Sequence, residues 1–234
     1  MKLSKRIYQL SGVPYGTNSN AYAIDAGDRV ILIDAGFSEK QWDIMMKTLA
    51  YWKLDDKPIA NTLFTHCHFD HAGNAYLAKA AGSRIAMGIQ DVEAVSRGDE
   101  RTIGHLFGRE FMPVSVDDIL QGEVELAIGD VHISCIPMPG HTEGSYMFQM
   151  KEEEGNFLFM GDFIAIDPLP PEDEVTLRLA WTGAPDYNRE DYLNSLKRAC
   201  ALDSSILLPG HYYCYYGDSS KIFEMAYELG KKEL

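Results

Sequence analysis

The stretch "LFTHCHFDHAGN", Leu63 to Asn74, sets three histidines and an aspartate within six positions directly after an apolar run. Burying four such groups without partners costs on the order of several kcal/mol, so a fold that holds them must also compensate them. If "TLFT" is a strand whose last residues stay extended, His66 and His68 point to one side and Cys67 to the other. Asp70 and His71 follow where the chain turns, and all four can then surround one small volume. Imidazole nitrogens and carboxylate oxygens suit zinc and several other divalent metals.

Three further candidates share that local setting. "CIPMPG" precedes His141, "FLFM" and Gly161 precede Asp162, and "ILLPG" precedes His211. Each is an apolar, strand-like run ending at a ligand-type side chain, and strands that share one edge of a core bring such ends together. Taken singly, His141 or His211 reads as a structural histidine and Asp162 as a turn or cap residue. The cluster is what recruits them.

A chain of 234 residues with 46% hydrophobic residues can bury a sizeable core, and one compact domain over 1–234 is expected. The formal charge of -14 would repel phosphate backbones and anionic membranes, which disfavours nucleic-acid and membrane partners and leaves a small-molecule substrate. Apolar residues never run together over about 18 positions, and "MKLSKRIYQLSGVPYG" lacks the apolar region of a secretory signal. Four scattered cysteines read as reduced thiols, so a cytoplasmic location is expected.

"NAYAIDAGDRVILIDAG" reads as a hairpin around Ala26-Gly27-Asp28, and Ser38 with Gln41 as a capping box. Trp42, Met45, Met46, Leu49 and Trp52 fall at helical spacing as a core-facing stripe. A strand from Ile59 to Thr65 leads into the histidine cluster, and a helix is expected over Ala72 to Ala81. "RIAMG" reads as a strand, Gln90 to Ser96 as a short helix, and Arg97 to Gly122 as a long loop or lid. Strands follow in "EVELAI", "VHISCIPM", "SYMFQM" and "FLFM". After the proline-rich "DPLPPEDE", "REDYLNSLKRACAL" reads as a helix, "SILLPG" as a buried strand, and Ser219 or Ser220 as the cap of a final helix. Without strict strand–helix alternation, a sheet-on-sheet core covered by helices fits best.

"THCHFDHAG", "PGHTEGS", "FMGD" and "LPGH", in that order, resemble the metallo-β-lactamase-fold hydrolase superfamily, a likeness that runs from "ILIDAG" to the last helix. The resemblance implies an α+β fold, a four-layer αβ/βα sandwich of two mixed β-sheets flanked by helices. It implies two divalent metal ions, zinc first, with iron or manganese as alternatives. His66, His68 and His141 would hold one, Asp70, His71 and His211 the other, and Asp162 would bridge them. A hydroxide between two such ions is a nucleophile near neutral pH. Asp70 carries a second role, orienting the nucleophile or relaying a proton.

Departures from subfamily patterns narrow the substrate. Secreted β-lactamases of this family generally lack the bridging aspartate and carry an export signal, and flavodiiron oxygen reductases place a carboxylate where this chain has His68. Glyoxalase II enzymes hold glutathione with basic residues near the C-terminus, where "GHYYCYYGDSSKIFEM" offers tyrosines and Lys221 alone. Lactonases carry a tyrosine three residues after the bridging aspartate; here that residue is Ala165, with Tyr212 or Tyr213 as substitutes. The expected activity is hydrolysis of a carboxylic ester, thioester or lactone, lactonase-like first. A mononuclear iron persulfide dioxygenase and a non-catalytic metal-binding protein are the alternatives. Phe107, Phe111 and Trp181 are candidates for an apolar pocket wall, though each reads first as a core residue, and His105 for a substrate contact from the lid. His132 reads as structural or exposed and Cys67 as a small buried residue. Apolar segments in the lid leave room for a homodimer contact.

Overall fold

In the computed structural model, which describes residues 1–169 and 174–234, the hairpin around Ala26-Gly27-Asp28 opens the first sheet. Strands β1 (Ile7–Gln9), β2 (Tyr22–Asp25) and β3 (Val30–Ile33) pair antiparallel, and β4 (Ile59–Leu63), β5 (Arg84–Gly88) and β6 (Asp118–Leu120) add in parallel. Parallel neighbours need crossovers, supplied by α1 (Glu39–Tyr51), by α2 (Phe69–Ala72) with α3 (Ala75–Ala80), and by α4 (Ile89–Arg97). The second sheet is the meander β7 (Val124–Ile128), β8 (Val131–Pro137), β9 (Tyr146–Glu152) and β10 (Gly155–Gly161). A hairpin of β11 (Ile164–Leu169) and β12 (Glu174–Leu179) and helix α5 (Arg189–Ala199) come next. Then β13 (Ile206–Pro209) pairs parallel to β10, β14 (Tyr215–Tyr216) closes the edge, and α6 (Ser219–Glu233) ends the chain.

Alternation along the strands builds the layers. Phe157 and Phe159 of β10 join Ile31, Ile33 and Leu63 in one core between the sheets, while Leu158 and Met160 face Tyr192, Leu196 and Phe223 of α5 and α6. On the other side, Val30 and Leu32 meet Met45 and Leu49 of α1, and Ile85 and Met87 meet Ala78 and Val95 of α3 and α4. The result is the expected four-layer αβ/βα sandwich of two mixed sheets flanked by helices. No described helix is long and apolar enough to cross a membrane, and all four cysteines are unpaired.

Some elements differ from expectation. The helix expected over Ala72 to Ala81 is two short ones beginning at Phe69, so Asp70 and His71 ride on a helix rather than on the turn before it. Asn74 causes the break, because its amide donates to the carbonyls of Ala35 at 2.9 Å and Ser38 at 3.0 Å. Ser38 caps α1 as expected, and Gln41 reaches back one residue beyond the cap, its Oε1 accepting from Phe37 N at 3.4 Å while its Nε2 donates to Ser11 and to Ser19. Asp218, not Ser219 or Ser220, caps α6, accepting from the backbone of Ser220 and Lys221, while Ser219 bonds back to Ser204. The lid holds edge strand β6 and short 3-10 turns at Glu100–Thr102 and Gly104–Phe107. "DPLPPEDE", which reads only as proline-rich, supplies Asp167–Leu169 to the end of β11 and Glu174 to the start of β12; its residues 170–173 lie outside the described ones.

Candidate metal centre and its pocket

Every ligand-type residue lies just beyond the C-terminal end of a strand. His66 and His68 follow β4, Asp70 and His71 sit on α2, His141 follows β8, Asp162 follows β10, and His211 follows β13. Both sheets therefore deliver side chains to one edge. His66, His68 and His141 form one group and Asp70, His71, Asp162 and His211 another, with one ligand-type atom per residue lying within 4.8 Å of the others in its group. Asp162 reaches both: its Oδ1 is 2.9 Å from His71 Nε2, and its Oδ2 is 3.2 Å from His211 Nε2 and 3.7 Å from His141 Nε2.

The far side of each ring fixes which nitrogen faces inward. His71 Nδ1 lies 2.9 Å from Asp34 Oδ2, His141 Nδ1 3.2 Å from the Trp181 carbonyl, and His211 Nδ1 3.3 Å from the Asn18 carbonyl. Thr65 Oγ1 donates to Asp34 Oδ2 at 2.9 Å, so it accepts from His66 Nδ1 at 3.0 Å. With each proton assigned to these outer acceptors, the Nε2 atoms of these four histidines turn lone pairs inward.

This pattern tests whether a cation fits. Nε2 of His66, His68 and His141 and Oδ1 of Asp162 are buried without a hydrogen-bond partner among the described residues. His71 Nε2 faces Asp162 Oδ1 at 2.9 Å and His211 Nε2 at 3.3 Å, lone pair against lone pair. Such an arrangement is stable only around positive charge. Protons show the same demand: burial pushes the His211 imidazole down, yet Asp162 and Asp70 outweigh it and lift it to about 10. In the other group, burial and then the neighbouring imidazoles hold His66 well below the usual histidine range, leaving it a neutral nitrogen donor. Three imidazoles beside two imidazoles and two carboxylates form a donor set that fits divalent cations.

Two positioning carboxylates escaped the sequence reading. Asp34, buried with φ 59, accepts from Thr65 N and Oγ1, each at 2.9 Å, and from His71, tying two inward-facing rings to the end of β3. Its signal was available in "LIDAG", a carboxylate at a strand end before glycine, but it read only as hairpin. Asp91, in the first turn of α4, accepts from Cys67 N at 2.8 Å, Thr142 Oγ1 at 2.9 Å and Gly144 N at 2.9 Å. It thus joins the loop of His66 and His68 to that of His141. Burial pushes its carboxyl up to about 6. An acid in a first helical turn is common, so nothing in the sequence distinguished it.

Above the cluster lies a cavity of about 360 Å³ with Asp70, Asp162, His141 and His211 on its floor. Ile103, Leu106 and Phe107 form one wall, and Leu179, Ala180 and Trp181 the other. Phe107 and Trp181 are thus where the wall reading put them. Phe111 is not: it is 5% exposed, packed in the core with its ring 6.2 Å from that of Phe69. Tyr212 and Ala165 line the cavity, whereas Tyr213 and His105 are exposed and outside its lining. His132 is exposed on β8 and Cys67 is buried.

Fold and cluster together define a class, metal-dependent hydrolases built on a four-layer sandwich. The sequence matches the metallo-beta-lactamase superfamily over residues 14–211, and the chain belongs to that family. It is 34% identical to a probable metallo-hydrolase of Methanocaldococcus jannaschii, across 74% of this chain and 81% of that protein. It is 25% identical to an acyl-coenzyme A thioesterase of Homo sapiens, across 90% of this chain and 78% of that protein. Among solved structures, a metallo-beta-lactamase family protein of Thermus thermophilus shares the fold with a TM-score of 0.76 at 20% identity, covering 99% of this chain and 81% of that one.

Proposed function

We propose that residues 1–234 act as one cytoplasmic hydrolase domain that holds two divalent ions, zinc first, and cleaves a small carboxylic thioester. The observation that carries this reading is Asp162, whose two oxygens reach both ligand groups at the floor of an apolar cavity. His66, His68 and His141 would hold one ion and Asp70, His71 and His211 the other, with Asp162 shared. When bound, the ions supply Lewis acidity toward the carbonyl oxygen and bring the pKa of water toward neutrality.

The chain's own residues supply the rest. The Ile103–Phe107 wall and Trp181 take the acyl group and exclude water from the floor. Asp70, whose Oδ2 accepts from the Asn18 amide at 3.3 Å and lies 3.1 Å from His211 Nε2, takes up the proton released in the attack. The thioester preference draws on the human relative's activity. A lactone is the second reading, supported by Tyr212, which brings a phenol to the cavity from β13's end although Ala165 occupies the position where lactonases carry tyrosine.

Elemental mass spectrometry on protein purified without added metal or chelator tests the centre, with about two zinc ions per chain expected. Asp162→Ala is expected to lose most metal and most turnover of acyl thioesters, esters and lactones. About one iron per chain, with oxygen consumed in the presence of a persulfide, would replace this reading with the dioxygenase. Full occupancy with no turnover across the panel would leave a non-catalytic metal protein.

A further inference from the structure

Arg178 is the one arginine or lysine among the described residues that line the cavity. It projects from β12 beside the apolar wall, and its guanidinium carbon stacks 4.8 Å from the centre of the Tyr212 ring. Its Nη1 donates to the Tyr212 hydroxyl at 3.2 Å, and its Nη2 lies 2.9 Å from Asp167 Oδ2. These contacts occupy two of the five N–H groups of a guanidinium. The side chain is still 61% exposed, so its remaining donors meet solvent at the cavity mouth. Because the Tyr212 oxygen accepts from Arg178, its own proton is left for another acceptor.

Tyr212 is itself held in an unusual conformation. Its φ is 62, a value that bulky residues adopt only when their surroundings impose it. Asn20 fixes its carbonyl at 3.2 Å, and the stacked guanidinium fixes its ring. A planar, preset fork beside a phenolic donor matches the oxygens of a carboxylate or phosphate. A chain of net charge -14 repels anions at long range, so an anionic substrate needs a local cation of this kind.

We propose that Arg178 and Tyr212 form an anion subsite at the mouth of the cavity, so that the substrate is a thioester carrying a carboxylate or phosphate while its apolar part lies against Ile103, Leu106 and Trp181. The subsite specifies the substrate of the hydrolase reading above and rests on it. The anion can belong to the acyl half, as in a half-thioester of a dicarboxylic acid, or to the leaving half, as in coenzyme A.

Three non-hydrolysable thioethers separate these cases by calorimetric binding to the metal-loaded protein: S-hexyl-pantetheine, S-(5-carboxypentyl)-pantetheine and S-hexyl-coenzyme A. The first has no anion, the second an anion on the acyl side, the third on the carrier side. The readout is the affinity for each anionic probe relative to the neutral one. Arg178→Met is expected to lower that ratio about tenfold or more for one anionic probe, which then names the side, and Arg178→Lys to restore part of it. Ratios that stay within twofold of wild type for both anionic probes, or a wild type that does not favour either over the neutral probe, overturn the subsite. Binding is read without turnover, so the hydrolase reading fails separately if metal-loaded wild type leaves hexanoyl-pantetheine, adipoyl-pantetheine and hexanoyl-coenzyme A all intact.

Discussion

Asp91 shows how one side chain can hold two loops in register and make their stability depend on pH. Its carboxylate accepts three hydrogen bonds while almost fully buried, and burial, opposed by those bonds, raises it from 3.8 to about 6. Between those values the folded chain holds a proton on Asp91 that the unfolded chain has released. Unfolding free energy therefore falls as pH rises through this window, by at most about 3 kcal/mol, and levels off above about 6. Urea unfolding of metal-free wild type and Asp91→Asn at pH 4, 5, 6 and 7 checks this: wild-type stability relative to the variant should decline across the series. A constant difference would show that Asp91 does not titrate there. The ligand-type residues were legible in the sequence because each stands at the end of an apolar run. Asp34 and Asp91 were not, because their importance lies in what they touch across the fold, Thr65 and His71 in one case and Cys67, Thr142 and Gly144 in the other.

The strands are the elements that aim the cluster, and their last residues are tightly constrained. Gly210, directly after β13, leaves no room for a side chain: a Cβ there would lie 2.4 Å from Asp162 Oδ1 and 2.7 Å from His71 Cε1. Gly210→Ala should therefore displace Asp162 and weaken metal binding by about tenfold or more, read by competition with a chromogenic chelator, as loss of a ligand's support commonly does. Unchanged affinity would mean that the Asp162 carboxylate can shift from its present position without cost to the bound cation. Most core strands were readable, since "VILI", "FLFM" and "SILLPG" are apolar and bounded by turn residues. The β11–β12 hairpin was not, because Pro168 and the prolines beyond it argue against strand pairing. Nor was the short α2, whose four residues owe their conformation to Asn74 and the loop it grips rather than to helix propensity.

At the scale of the molecule, the cluster joins the two sheets. His66, His68, Asp70 and His71 come from the first, and His141, Asp162 and His211 from the second. A cation bound among them ties the halves together and stabilises the folded state by mass action, by about 4 kcal/mol when free metal exceeds its Kd about a thousandfold. For a chain of this length that corresponds to a Tm on the order of ten degrees higher. Differential scanning calorimetry with and without a chelator should show the drop, reversed by adding metal back. If stripped protein melts at the same temperature, no cation links the sheets. The layered architecture was legible because it follows from hydrophobic alternation together with the strand-end motifs. The cavity was legible only in part: Phe107 and Trp181 read as wall candidates, but Ile103, Leu106, Leu179 and Ala180 did not, because the two walls come from segments far apart in the chain.

That separation divides the labour of the sequence. The seven residues of the cluster occupy strand ends and the short helix α2, whereas the walls come from Ile103 to Phe107 and from Arg178 to Trp181, segments that contribute none of those seven. Mutation can reshape either wall while the donor set keeps its geometry. A lineage built on this plan can therefore exchange one substrate for another through changes in two short surface segments, with its chemistry inherited intact.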